Sequence, residues 1–111
     1  MRTLVDGRPP VRPAPRLDEL RARRGELIAI FERNGARDVR VFGSVARGDS
    51  DDRSDVDFVV SFEPDRSLFD LAGLVGDLDD DLGCPVNVVS ENGLRLGSPF
   101  ATRVRAQAVP L

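Results

Sequence analysis

The stretch VFGSVARGDSDDRSDVDFVV, residues 41–60, limits what this chain can fold into more than any other. An apolar run, Val39 to Phe42, stops at Gly43-Ser44. Val45-Ala46-Arg47 then allow a small helical turn closed by Gly48. Acids and turn formers fill Asp49 to Ser54, and Asp55-Val56-Asp57 lead into a second apolar run, Phe58-Val59-Val60. Acids are unfavourable in strands, so a pair that opens an apolar strand calls for a functional reason. Two residues apart, Asp55 and Asp57 share one face of that strand, with Cα atoms about 6.5 Å apart at the usual rise. Two carboxylates on one face, beside a Gly-Ser turn that can receive a phosphate, suit a site for Mg²⁺ and a nucleotide.

The turn residues have simpler roles too. Gly43 permits either a close approach of backbone to another group or a turn with positive φ. Ser44 either caps the next turn or sets its hydroxyl and amide against a phosphate. Arg47 contacts phosphate, or pairs only with Asp49 or Asp51. A calcium loop starting at Asp49 is excluded, because Arg53, Ser54 and Val60 stand where an oxygen ligand, Gly and Glu are needed. Asp49, Asp51 and Asp52 are expected in a solvated loop.

The rest of the chain supplies the scaffold. Residues 1–16 hold four Pro and four Arg with no helical period, which predicts a disordered or extended arm. The folded domain is expected over residues 17–111. Leu17 to Arg33 has an amphipathic pattern, with Leu17, Leu20, Leu27, Ile28 and Phe31 on one side, interrupted by Arg24, and Asn34-Gly35 as its stop. Arg21, Arg23 and Arg33 are expected on a solvated face. Asp38 to Phe42 is the first strand and Asp55 to Phe62 the second. Ser67 to Leu82 is a second long helix, opened by a Ser67…Asp70 capping box and closed by Gly83. Its core stripe would be Leu68, Leu71, Leu74, Val75, Leu78 and Leu82. Asp77, Asp79, Asp80 and Asp81 crowd its last turns, as a solubilising face or a docking patch for a basic partner. Pro85 to Val89 is a third strand, on which Asn87 points opposite to Val86 and Val88. Ser98-Pro99 starts a last helix. This order gives an α/β (α+β) domain of two layers, a short mixed sheet packed on helices.

Composition narrows the chemistry. With 111 residues the chain is expected to be one domain. It has no His, Lys, Tyr or Trp, so imidazole bases, His-zinc sites and a P-loop lysine are excluded. Every cation is Arg, which suits bidentate phosphate contacts. Residues 1–40 carry ten Arg against six acids, and residues 41–111 six Arg against thirteen acids. The half with the Asp pair is therefore acidic, a poor surface for nucleic acid and a good one for metal. No apolar run approaches a membrane span, and no signal peptide is visible. Cys84 is alone, which fits a reducing cytoplasm.

The pattern GS-x-A-R-G followed by D-x-D resembles the nucleotidyltransferase superfamily with DNA polymerase β-like folds. Within it, residues 17–111 look like the minimal nucleotidyltransferases, often the antitoxin half of HEPN/MNT toxin–antitoxin pairs. The resemblance implies transfer of AMP from ATP to a tyrosine on a HEPN-family RNase toxin. Asp55 and Asp57 would hold Mg²⁺, and Gly43, Ser44 and Arg47 the nucleotide's phosphates. Asn87 sits where the family usually carries its third carboxylate, the main departure from the pattern. Glu91 could stand in for it by strand parity. Two other readings stay open: a catalytically impaired nucleotide-binding module that acts by complex formation alone, and a nucleotidyltransferase acting on a small molecule.

Overall fold

The computed structural model describes residues 13–51, 53–94 and 97–111. Asp52 and most of the expected arm lie outside the described residues. Of the arm's last residues, Ala14 packs against the core. The expected single helix over Leu17 to Arg33 is two: α1 (Leu17–Ala22) and α2 (Arg24–Arg33). They break at Arg23, which has φ −106° and ψ 21°. The poor helix former Gly25 follows at once, and tertiary contacts hold the bend. The Arg21 guanidinium donates to the Pro110 carbonyl at 2.7 Å, and Arg23 to Asp81 at 2.7 Å. Arg33 pairs with Asp77 at 3.1 Å. Arg21 and Arg33 are exposed, as the expected solvated face requires, and Arg23 is half-buried; all three also tie elements together.

Strand β1 (Ala36–Phe42) starts two residues before the expected Asp38. Its register with β2 shifts between Arg37 and Arg40, around Asp38 at φ 54°, a bulge with the extra residue in the left-handed region that Asp tolerates. Then come α3 (Gly43–Arg47), β2 (Val56–Phe62), α4 (Leu68–Leu82), β3 (Val86–Ser90), a short 3-10 turn (Glu91–Gly93), α5 (Pro99–Gln107) and β4 (Val109–Pro110). The sheet order is β3-β2-β1-β4. β2 runs parallel to β3, and β1 antiparallel to both β2 and β4, so the sheet is mixed as expected. Strand β4 was not foreseen, since two residues carry no periodicity. Its Pro110 is tolerated because β4 is an edge strand.

The main core lies between the sheet and α1, α2 and α4. Leu20, Leu27, Phe31, Val41, Phe58, Val60, Leu74 and Leu78 are buried there. Phe31 meets Phe58 edge-on at 5.1 Å, an arrangement worth about 0.5–1.5 kcal/mol beyond burial. Of the expected α4 stripe, Leu74, Leu78 and Leu82 are buried, but Leu68 is 81% exposed. It lies about 120° around the helix from Leu74, away from the sheet. The other sheet face is only partly covered, by α5 and Leu94 over Phe42 and Val59. Asp57 shares the Val59 face but lies beyond that cover, so a short α5 leaves one end of the sheet open.

Candidate active site

Cross-strand register assembles the site. Phe42 pairs with Asp57 across β1 and β2, which brings Gly43 beside the Asp57 side chain. Gly43 has φ +75°, and a Cβ there would lie 2.3 Å from Asp57 Oδ2. Both uses of glycine allowed by the sequence are thus met in one residue: a positive φ and a close approach. On the other side of β2, Asp57 pairs with Asn87 across the parallel β2–β3 ladder. Val56 N–H donates to the Pro85 carbonyl at 3.0 Å and holds Asp55 in step just ahead of the strand. Asp55, Asp57 and Asn87 therefore meet at the open end of the sheet. The Asn87 amide donates to Asp55 Oδ2 at 3.1 Å and to Asp57 Oδ1 at 2.9 Å.

The Asp57 carboxyl is pushed above its ordinary range. Burial is the largest cause; the Asn87 hydrogen bond pulls the other way, the Asp55 charge adds to the rise, and Arg47 opposes it. One amide bridging two crowded carboxylates occupies the place a cation would take between them. The donors are hard oxygens, the chemistry magnesium prefers. The two carboxylates fit such an ion, and Asn87 would join them only with its amide turned to present the oxygen in place of the nitrogen. Among the described residues no group of three or more His, Cys, Asp or Glu side chains is placed to hold a metal.

Ser44 lies in α3, and its carbonyl accepts from Gly48 and Asp49 N–H at 3.0 and 3.1 Å. Its side chain does not cap the helix, because Phe42 is the N-cap residue. Arg47 pairs with Asp49 at 3.2 Å and donates to Gln107 at 3.2 Å. Asp51 accepts from Arg53 N–H at 2.9 Å within its loop. Glu91 is not at the site: Arg40 and Arg105 hold it in the 3-10 turn after β3. Burial pushes its carboxyl up, but those two arginines outweigh burial and leave it below its ordinary range. The sequence reading missed this cluster and the Gln107 contact. Neither has a local signal, since each joins residues far apart in the chain.

A Gly-Ser turn leaving a strand, two acids opening the antiparallel neighbour and a parallel third strand beside them define a nucleotidyltransferase. Residues 24–109 match the family model described as the nucleotidyltransferase domain, and the chain belongs to that family. It is 41% identical to the protein adenylyltransferase MntA of Thermococcus cleftensis over 66 residues, 60% of this chain and 67% of that one. A solved structure described as a minimal nucleotidyltransferase is 44% identical, with TM-score 0.75, covering 87% of this chain and 97% of that one. A toxin–antitoxin structure solved with AMP-PNP is 22% identical, with TM-score 0.63, covering 78% of this chain and 69% of that one; at that identity the likeness is one of fold. No helix among the described residues is long and apolar enough to cross a membrane.

Proposed function

We propose that this chain is a minimal nucleotidyltransferase antitoxin. It binds Mg-ATP at Asp55 and Asp57 and transfers AMP to a tyrosine hydroxyl of a HEPN-family RNase toxin, which it also neutralises by forming a complex. The observation that carries this reading is the junction of Asp55, Asp57 and Asn87 beside Gly43. Likeness to an adenylyltransferase and to a toxin–antitoxin fold supports the choice of substrate and partner.

In the reaction the acceptor oxygen bonds to the α-phosphorus, the bond from that phosphorus to the bridging oxygen breaks, and pyrophosphate leaves. Magnesium, when bound, supplies charge for the triphosphate and acidifies the acceptor hydroxyl. The chain's own residues do the rest. Gly43 keeps the turn free of a side chain where the nucleotide must come close to Asp57. Ser44 and Arg47 face the phosphates, Arg47 turning from Asp49 to do so. The acceptor's proton leaves to one of the two carboxylates or to solvent, because an amide is a poor proton acceptor. Loss of a general base is worth roughly 10²–10⁴ in rate. Asn87 thus favours a second role beside transfer, neutralisation by binding alone, with Mg-ATP held firmly and AMP passed on slowly.

Calorimetric titration with Mg-ATP tests the site. Asp55→Asn and Asp57→Asn each weaken binding strongly, whereas unchanged affinity in both variants rules out this assignment.

A further inference from the structure

We propose that the outward face of the N-terminal half of α4, centred on Leu68 and Phe69, docks a basic partner protein through an apolar socket. This surface rests on the antitoxin reading, whose partner it would receive. Leu68 is 81% exposed and Phe69 89%. Among the described residues, the other large exposed apolar residue, Phe100, is only 45% exposed and rests edge-on against Phe42 at 6.3 Å. The α4 pair has no such support from the domain, yet it stands on fixed ground. The Ser67 hydroxyl accepts from Phe69 N–H at 3.2 Å, and Asp70 returns to Ser67 N–H at 2.9 Å. Arg66 ties Glu63 to Asp70. The backbone that carries the two apolar side chains is thus already ordered, so little backbone freedom is lost on binding.

The rest of that face agrees. At 100° per residue, Ala72 and Gly76 fall on the same arc as Leu68 and Phe69, opposite the buried Leu74 and Leu78, while Gly73 at its edge faces Asn34, whose Oδ1 lies 3.1 Å from where a Cβ would stand. For more than two turns the solvent side of α4 therefore carries no polar side chain. Gly76 costs helix stability relative to Ala, and a Cβ there would meet nothing within 4 Å. Nothing inside the domain asks for a glycine there, but another backbone approaching closely would.

Charge selects the occupant. The next turn of the same arc bears Asp79 and Asp80, both exposed and without an ion pair among the described residues. By contrast, Asp77 and Asp81 are held by Arg33 and Arg23. Helix α4 has no cation of its own. The partner should therefore present cations roughly 15 Å along the helix from its apolar socket. A second copy is disfavoured: parallel α4 helices would oppose acids to acids, and antiparallel ones would set acids against Leu68 and Phe69. Nucleic acid is repelled by the same acids.

The test uses the full chain and its cognate HEPN-family toxin, co-expressed, purified and titrated by calorimetry. Leu68→Ser with Phe69→Ser weakens the complex on the order of 10²-fold and leaves Mg-ATP affinity unchanged. Gly76→Gln raises the melting midpoint of the isolated chain and weakens the complex, opposite signs that a purely structural role would not give. Asp79→Asn with Asp80→Asn slows association and flattens its salt dependence. A wild-type complex that the Leu68/Phe69 double variant leaves intact overturns the surface and spares the antitoxin reading. A wild type that forms no complex overturns both. A dimer of the chain alone, lost in Phe69→Ser, gives the face to a second copy and overturns the proposal.

Discussion

A methyl group on Gly43 would collide with Asp57 Oδ2 at 2.3 Å, and the residue's φ of +75° strains any side chain as well. Strain of this kind costs about 1–3 kcal/mol. Gly43→Ala should therefore lower the melting midpoint by at least about 4 °C for a domain of this size and weaken Mg-ATP binding. A variant that melts and binds like the wild type would contradict the geometry. Asp57 makes the opposite prediction for the metal-free protein. Its carboxyl is raised by burial first, with Asp55 adding to it, so the folded state resists its ionisation. The resulting cost is fully present at pH 7, shrinks as pH falls through the folded-state pKa, and is gone below the unfolded value of about 3.9. Asp57→Asn should thus raise the melting midpoint at pH 7 in chelator, a gain that fades in acid, while it weakens Mg-ATP binding. A lower midpoint at pH 7 would refute this account of Asp57. Strand parity placed Asp55 and Asp57 on one face in the sequence, and set Asn87 opposite to Val86 and Val88 on its own strand. What parity could not give was the Asn87 amide bridging both acids, because that depends on β3 lying parallel beside β2.

Elements were legible where the signal is local. The Ser67–Asp70 box, Gly83 in the left-handed region at φ 69°, and Ser98 capping α5 all stand as read from residue type alone. The break at Arg23 was marked only by the interruption at Arg24, because Leu20, Leu27 and Phe31 keep one period across it and distant partners hold the bend. The exposure of Leu68 was hidden for a similar reason: periodicity shows which residues are apolar, not where the sheet beneath them ends. The 3-10 turn after β3 shows such a tertiary contact setting stability. Glu91 lies below its ordinary pKa despite burial, because Arg40 and Arg105 hold it. A depressed carboxyl contributes stability above the unfolded pKa of about 4.3 and loses it as pH falls through the folded value. Glu91→Gln should destabilise the chain at pH 7, by about 1 kcal/mol for partly exposed pairs, and flatten the loss of stability in acid. Thermal melts from pH 7 to pH 3 check this. Parallel curves for variant and wild type would show that Glu91 contributes nothing.

At the scale of the whole molecule, helices cover one face of the sheet and a short α5 covers only part of the other. The uncovered end is where Asp55, Asp57 and Asn87 meet. The acids of the second half of the chain are thereby divided among separate tasks: the cleft, the links between α2 and α4, and the outer end of α4. Family membership fixes the class of chemistry, and the slow pace proposed for this chain rests on the amide at Asn87. Transfer of labelled AMP from ATP to the co-purified partner tests this most directly, measured with the wild type, Asn87→Asp, and Asn87→Asp combined with Asp57→Asn. The account predicts slow transfer by the wild type, a gain of roughly 10²-fold or more in Asn87→Asp, and none when Asp57 is also replaced. Fast transfer by the wild type that Asn87→Asp leaves unchanged, or transfer that survives the loss of Asp57, would contradict it.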